Sequence, residues 1–147
     1  MALVVERRIP FDIGVPERMM VVTPVLVENP YTRERRTYLA VWDTGATGTC
    51  ITHKVVMELN LKKYGSATVS AMIDWGKRIV YEADFYIEKI DVHYVKPAEM
   101  DAYNDGIDVA IGMDIIGNGD FSLTRQTDGS IRMRFQSPPA CFSVDQK

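Results

Sequence analysis

The chain has 147 residues, a formal net charge of −3 and a hydrophobic fraction of 46%. These values fit one soluble globular domain that is large enough to bury a core. The acidic balance disfavours a nucleic-acid partner held by phosphate neutralisation, because such proteins usually present a basic face.

The sequence also bears on location. No apolar run approaches the roughly 18 residues that a membrane span needs, and charged residues from Glu6 onward interrupt the apolar start before it resembles a signal sequence. We therefore expect a cytoplasmic protein with no membrane partner. Cys50 and Cys141 are the two cysteines of the chain, and in that compartment we expect both to be reduced.

The first third of the chain predicts a hairpin and one short helix. Residues 2–9 end at Pro10 and predict either an edge strand or a segment that pairs with another chain. Residues 19–27 and 36–42 flank a turn signal and predict a hairpin whose second strand leads to Asp43. A short strand at residues 50–51 follows, and Thr52 is placed to cap a helix over residues 53–59.

The middle third predicts a long hairpin. Residues 67–73 and 78–88 alternate between apolar and polar side chains, and a turn containing Trp75 and Gly76 joins the two runs. We interpret them as two paired strands with Trp75 at the tip. Residues 91–95 predict a further strand, and the polar residues 97–106 predict a loop.

The last third predicts a buried strand, a short helix and another hairpin. Residues 107–111 are apolar and lead into a helix start at 112–116. Asp128 and Gly129 separate two strand-like runs at 121–124 and 131–135. The whole pattern is that of a mainly β protein, a small barrel or sandwich with one or two short helices.

Two segments carry a resemblance to a known family. Residues 43–47 read Asp-Thr-Gly-Ala-Thr and resemble the active-site loop of retropepsin-like aspartic proteases. Residues 109–116, an apolar strand followed by Gly112, Met113 and Asp114, are similar to the second signature of that family. The long hairpin lies between them, where the family carries a flap. The resemblance covers about residues 19–135 and implies a closed β-barrel within one domain of residues 1–147, with the arm 1–16 and the tail 136–147 at a dimer interface.

The chemistry of that family needs two carboxylates that share one proton and one water. The chain has no second Asp-Thr-Gly or Asp-Ser-Gly, so the partner carboxylate has to come from another molecule. A symmetric homodimer would place Asp43 against its own copy. The resemblance thus implies an aspartic endopeptidase that acts on peptide or protein substrates without a cofactor or metal.

The resemblance also implies a role for each residue around Asp43. The Thr44 hydroxyl would link the two loops of the dimer, Gly45 would bring its N–H to the carboxylate, Ala46 would begin the segment that meets substrate, and Thr47 would support the loop from behind. Asp114 is expected to pair with backbone or a basic side chain, and Gly112 to be structural. The substrate flap would comprise Ile73, Asp74, Trp75, Gly76 and Lys77.

Other interpretations of these residues stay open. Asp43 is also a residue type that bonds its own backbone in a turn, and Trp75 is also an ordinary aromatic at a hairpin tip. The spacing of Cys50 and His53 fits zinc, but the other candidate ligands, His93 and Cys141, are distant in sequence, so we expect no metal site.

Three departures from the family pattern motivate an alternative function. Trp42 stands where a small or aliphatic residue is usual, the hairpin tip has one glycine, and Met113 stands where viral members carry an arginine. The alternative is a catalytically silent retropepsin-like domain that serves as a dimerisation or peptide-binding module.

Overall fold

The computed structural model describes residues 2–11, 14, 19–70, 75–103 and 106–140. These residues form twelve strands and two short helices, so the prediction of a mainly β protein is confirmed. No helix among them is both long enough and apolar enough to cross a lipid bilayer.

The elements follow one another along the chain with short connections. The first six strands are β1 (Leu3–Ile9), β2 (Val22–Glu28), β3 (Arg35–Trp42), β4 (Cys50–Thr52), β5 (Lys63–Ser70) and β6 (Trp75–Tyr81). The last six are β7 (Asp84–Ile87), β8 (Ile90–Val92), β9 (Ala98–Met100), β10 (Ile107–Ile111), β11 (Asp120–Arg125) and β12 (Ile131–Ser137). The helices are α1 (His53–Glu58) and α2 (Met113–Ile116).

The described strands form a three-stranded sheet in the order β1-β12-β11 and a nine-stranded sheet in the order β5-β6-β9-β4-β10-β3-β2-β7-β8. Among these residues no pairing joins the two edges of the large sheet, β5 and β8. The predicted closure of a barrel is therefore not seen in this part of the chain.

Several predicted elements are confirmed. Antiparallel pairing joins β2 to β3 and β11 to β12, and Gly129 adopts φ +85° in the second turn, a conformation that favours glycine. Strand β10 and helix α2 lie where the sequence predicts them. Of the two interpretations of the N-terminal arm, the edge strand is observed, because β1 pairs with β12 of the same chain. Val5 of β1 is fully buried, so the core begins before residue 19.

The predicted strand over residues 78–88 is wrong in its length. Strand β6 ends at Tyr81, and β7 begins at Asp84 and pairs with β2 instead of β5. Ile79, which the alternation groups with the apolar side chains of this run, is 38% exposed, whereas Val80 is buried. The alternation has the same period on both sides of the break, so it could not reveal that the chain changes its partner strand at residues 82–83.

Two further local predictions need correction. Residues 98–100, expected to lie in a loop, form β9, which runs parallel to β4 and antiparallel to β6. Three residues carry too little pattern to predict a strand. Thr52 does take the cap position of α1, but its side chain does not cap the helix, since its hydroxyl donates to Asp108 Oδ1 at 2.9 Å.

The two faces of the nine-stranded sheet contact different apolar clusters. Neighbouring residues on a strand alternate between the two clusters. On β3, Trp42 lies in the main core and Val41 in the second cluster. On β10, Ile111 lies in the main core and Ala110 in the second cluster. Both helices and the three-stranded sheet contribute to the main core. The second cluster consists of Val41, Cys50, Val80, Ala98, Ile107 and Ala110, with Met20, Val22 and Met100 packed against it. By the alternation of a strand, Asp43 continues the face of Val41.

Candidate active site

The two segments that carry the resemblance lie side by side. Strand β10 runs parallel to β3 on one side and antiparallel to β4 on the other, so the end of β10 meets the loop that follows β3. The Asp43 N–H donates to the Ile111 carbonyl at 2.8 Å, and the Met113 N–H donates to the Ala46 carbonyl at 2.8 Å. These backbone hydrogen bonds tie residues 43–46 to the start of α2.

The Asp43 carboxylate is half-buried at the end of β3. Its Oδ1 accepts a hydrogen bond from the Gly45 N–H at 2.9 Å, which is the approach that the resemblance implies for Gly45. A Cβ on residue 45 would lie 3.2 Å from the same oxygen. The contact is also the one that a turn aspartate makes, so this hydrogen bond alone does not separate the catalytic interpretation from the turn.

Asp114 has the structural environment predicted for it. Its Oδ2 accepts from the Thr49 N–H at 2.9 Å, and its Oδ1 accepts from the Thr49 hydroxyl at 2.7 Å and from the Ile115 N–H at 2.9 Å. The prediction of pairing with backbone is confirmed, although the side-chain partner is a threonine and not a basic residue. Asp114 also stands in the first turn of α2, where a negative charge is favourable.

Gly112 lets the backbones of the two segments touch. A Cβ at this position would lie 2.5 Å from the Gly48 carbonyl carbon, 2.6 Å from its oxygen and 2.9 Å from the Thr49 nitrogen. The Gly112 N–H donates to the Thr49 hydroxyl at 3.1 Å. Glycine is therefore required here by space, which supports its structural assignment.

Sequence reasoning missed Thr49. Thr44 and Thr47 are exposed, whereas Thr49 is buried and holds both Gly112 and Asp114 through one hydroxyl. Among the described residues, the hydroxyl that holds the second segment against the loop is that of Thr49, through its hydrogen bonds with Asp114 and Gly112. The position of Thr49 in the sequence could have indicated that it is buried, because it directly precedes β4, where the chain returns to the core.

Trp42 packs behind the loop. Its ring stacks on Phe121 at a centroid distance of 5.4 Å and contacts Phe135 at 5.1 Å, and its Nε1 donates to the Thr23 hydroxyl at 2.9 Å. Phe121 and Phe135 belong to the three-stranded sheet. The unusual residue before the aspartate thus joins the two sheets and leaves the carboxylate partly exposed on the other face.

The predicted hairpin is present as β5 and β6, paired from Lys63 with Tyr81 to Ser70 with Trp75. It starts four residues earlier than the alternation indicated. Gly76 and Lys77 lie in β6, whereas Ile73 and Asp74 fall outside the described residues. The role of this hairpin as a flap remains a prediction.

Cys50 lies in the second cluster, near the loop. Burial and the negative charges of Asp114 and Asp43 raise the pKa of its thiol to about 11, although Arg78 acts in the opposite direction. The thiol is therefore protonated at neutral pH and a poor nucleophile or metal ligand.

The zinc interpretation gains no support. In the described part of the chain no three His, Cys, Asp or Glu residues form a metal-binding group. His53 and His93 instead pair with Glu99 and Asp84 at 2.8 and 3.2 Å. Cys141 lies outside the described residues.

The strands and the paired loop segments define a mainly β protein, and a comparison with solved structures finds that its fold resembles that of a retropepsin. The crystal structure of a retropepsin-like aspartic protease from Rickettsia conorii matches with a TM-score of 0.50 and 15% sequence identity, over 92% of this chain and 95% of that chain. At this identity the likeness concerns the fold. No protein-family model matches the sequence, and no curated protein does.

Proposed function

We propose that the chain is an aspartic endopeptidase that works as a homodimer, with the Asp43 carboxylates of two copies sharing one water. The observation that carries the proposal is the environment of Asp43 in a retropepsin-like fold. The carboxylate is partly exposed, and its loop is held by two backbone hydrogen bonds to the β10–α2 segment.

The hydrogen bonds of Asp114 support the proposal that a second copy is needed. Asp114 is the acidic residue of the second segment, and it already accepts three hydrogen bonds from Thr49 and Ile115. A carboxylate held in this way cannot turn toward a water shared with Asp43 without breaking them. These contacts argue against Asp114 as the second carboxylate and support Asp43 of a partner copy, which a two-fold axis would supply.

In the proposed mechanism one Asp43 is ionised and its mate protonated, since two close like charges cannot both ionise. The ionised copy removes a proton from the water, which attacks the scissile carbonyl, and the protonated copy donates to the carbonyl oxygen. The tetrahedral diol then collapses: the copy that took the proton from the water gives it to the leaving amine, and the other copy regains a proton from a diol hydroxyl as the carboxylic acid product forms. No covalent enzyme intermediate forms.

The surroundings support this assignment. Thr44 is exposed beside the carboxylate, where its hydroxyl can meet the partner loop. The second cluster, on the face of Asp43, offers apolar contacts from Met20, Val22 and Met100, and apolar subsites are typical of peptide clefts. The β5–β6 hairpin would cover a peptide on this face. Closure of the strands into a barrel stays part of the proposal.

The test compares three proteins on a mixed peptide library at pH values from about 3 to 7, a range that includes the upper pKa of a known carboxylate dyad, about 4.7. The wild type and the control Asp91→Asn, altered at an exposed position in β8, should cut the same peptide bonds. Asp43→Asn should bind peptides and cut none. A wild type that binds peptides as a dimer without cutting would leave the silent binding module as the function.

A further inference from the structure

Strand β11 forms one edge of the three-stranded sheet. It pairs with β12 along its whole length, from Asp120 with Gln136 to Arg125 with Ile131, without a register shift. In the part of the chain that the structure describes, no strand pairs with the other side of β11. The backbone groups of every second residue in an edge strand point away from the sheet, so β11 offers hydrogen-bonding groups to a further strand.

The features that usually protect an edge strand are weaker in β11 than in the other edge strands. Proteins protect edges with charged residues, bulges or short strands. Strand β1, at the opposite edge of the same sheet, has residues 6–8, all charged, in its middle. In the large sheet, β5 has a register shift between Lys63 and Gly65, and β8 is three residues long. Strand β11 has six residues, and its middle, residues 121–124, is uncharged.

The apolar side of the small sheet continues to this edge. Leu123 lies opposite Met133 and Phe121 lies opposite Phe135, and residues directly opposite each other have their side chains on the same side of a sheet. Met133 and Phe135 are buried in the main core, whereas Leu123 is 50% exposed. A further strand beside β11 would therefore remove apolar surface of Leu123 from water, which favours association.

A second copy of the chain can supply that strand, because β11 is complementary to itself. A two-fold axis that joins two antiparallel edge strands in one sheet is normal to the sheet, and it places one residue opposite its own copy. With the axis at Leu123, this apolar residue meets its own copy. Ser122 then lies opposite Thr124, which pairs two hydroxyl groups. Phe121 lies opposite Arg125, which places a cation beside an aromatic ring, so no like charges among these residues face each other.

The same axis points toward the side of the sheet where the candidate site lies. On that side the ring of Trp42 stacks on Phe121 at a centroid distance of 5.4 Å. Phe121 is two residues from Leu123, which is about 7 Å along a strand. Asp43 directly follows Trp42 in the chain. Pairing through β11 therefore sets the loop of Asp43 on the side of the sheet along which the two-fold axis runs, as a shared water requires.

From this geometry we propose that two copies of the chain associate through β11, which pairs antiparallel with β11 of the other copy. The two three-stranded sheets would then form one sheet of six strands, in which β1 and β12 stay paired within their own chain. The inference rests on the proposed function, which requires the two-fold axis, and it adds the surface that forms the dimer. It differs from the arrangement that the resemblance implies, in which the arm 1–16 and the tail 136–147 form the interface.

The test exchanges charges at Leu123, the residue that would meet its own copy. Leu123→Glu and Leu123→Lys are studied alone and as an equal mixture by sedimentation velocity and by peptide cleavage. Each variant alone places like charges opposite each other and should raise the dimer dissociation constant by about tenfold or more. The mixture should regain dimers and cleavage, because opposite charges then meet at this position. Recovery in the mixture would also show that both variants are folded.

Two further variants locate the interface. Met57→Glu, which changes an exposed apolar residue on α1, should leave both dimer and cleavage unchanged. Leu3→Glu tests the opposite edge of the small sheet, where Leu3 is 37% exposed, and should also leave the dimer unchanged.

The outcomes separate this inference from the proposed function. Dimers that persist in both Leu123 variants, or a mixture that stays as monomeric as its components, would overturn the β11 interface alone if the wild type cuts peptides as a dimer. Dissociation by Leu3→Glu without dissociation by the Leu123 variants would assign the interface to β1. A wild-type dimer that cuts nothing would overturn the proposed function, while sedimentation of the Leu123 variants would still decide the interface. A wild-type monomer would overturn both.

Discussion

At the scale of single residues, the site depends on a contact between two backbones. Gly112 and Gly48 approach so closely that a methyl group at residue 112 would overlap the Gly48 carbonyl, and the Thr49 hydroxyl joins the same contact. Asp114 then fixes Thr49. The position of Asp43 is thus set by residues from the second segment.

We expect Gly112→Ala to destabilise the protein by about 3 kcal/mol, because the backbone has to move apart to admit the added atom. The free energy of unfolding from urea titration measures this. The control is Gly65→Ala, since no atom lies within 4 Å of the added Cβ there, and it should change stability by less than about 1 kcal/mol. Equal effects of the two substitutions would mean that the close approach is not required.

The sequence allowed some of these residues to be predicted and not others. Asp43, Gly45 and Asp114 stand in short motifs whose chemistry constrains each residue type. Thr49 and Thr47 are the same residue type two positions apart, and only the path of the chain decides that Thr49 is buried and Thr47 exposed. Residue type alone holds no information about that path, and the one signal in the sequence was the position of Thr49 directly before the predicted strand at residues 50–51.

At the scale of elements, Trp42 couples the two sheets. It ends β3 of the large sheet and stacks on Phe121 and Phe135 of the small one. Its indole N–H has a partner in Thr23, so the large ring is buried without an unsatisfied donor.

Trp42→Ala should lower the free energy of unfolding by about 4 kcal/mol, because it leaves a cavity between the sheets. Trp42→Phe keeps an aromatic ring and should cost about 2 kcal/mol, mainly through loss of the hydrogen bond to Thr23. Thermal unfolding followed by circular dichroism compares them with Tyr64→Ala, which truncates an exposed aromatic. If the Trp42 variants lose as little stability as Tyr64→Ala does, the packing of the two sheets does not depend on Trp42.

A second element-scale feature is a buried carboxylate at the far end of β2. Glu28 is fully buried and accepts hydrogen bonds from Arg35 at 2.8 and 3.2 Å and from Tyr86 at 2.8 Å, and Arg33 lies 3.5 Å away. Burial acts to raise the pKa of Glu28, but the hydrogen bonds and the two positive charges outweigh it and hold the pKa below its ordinary value. The ionised Glu28 thus joins β2, β3 and β7.

This shift predicts how stability depends on pH. A carboxyl group whose pKa is lower in the folded state contributes stability above its unfolded pKa of about 4.3 and loses it as the pH falls through the folded pKa. The urea concentration at which half of the wild type is unfolded should therefore decrease as the pH is lowered below about 5. For Glu28→Gln it should decrease less steeply. Glu34→Gln, an exposed change in the same hairpin, should keep the wild-type slope. Parallel curves for Glu28→Gln and the wild type would contradict this role.

Hairpins were the most predictable elements. The β2–β3 and β11–β12 pairs have turn residues between two runs of strand-forming residues, so neighbours in sequence pair in space. Strand β9 and the break after Tyr81 were not predictable, since both depend on distant strands, β4 in one case and β2 in the other.

At the scale of the whole molecule, the proposed function gives each chain one half of a site. The order of the nine-stranded sheet brings β3 and β10 together from positions far apart in sequence, and the resemblance to a retropepsin-like structure extends over most of the chain. Composition and alternation predict a mainly β protein, but they do not contain this strand order, which depends on pairings between strands that are distant in sequence. In the proposed function, the second carboxylate comes from another copy of the chain.

The central claim is that activity requires Asp43 from two copies. The direct measurement mixes wild type with Asp43→Asn at constant total concentration, allows the subunits to exchange, and follows peptide cleavage against the wild-type fraction. Activity should vary with the square of that fraction, so an equal mixture retains about one quarter, because mixed dimers hold one carboxylate. Mixtures with Asp91→Asn should lose nothing. Activity that falls in direct proportion to the wild-type fraction would mean that each chain carries a complete site and would contradict the account.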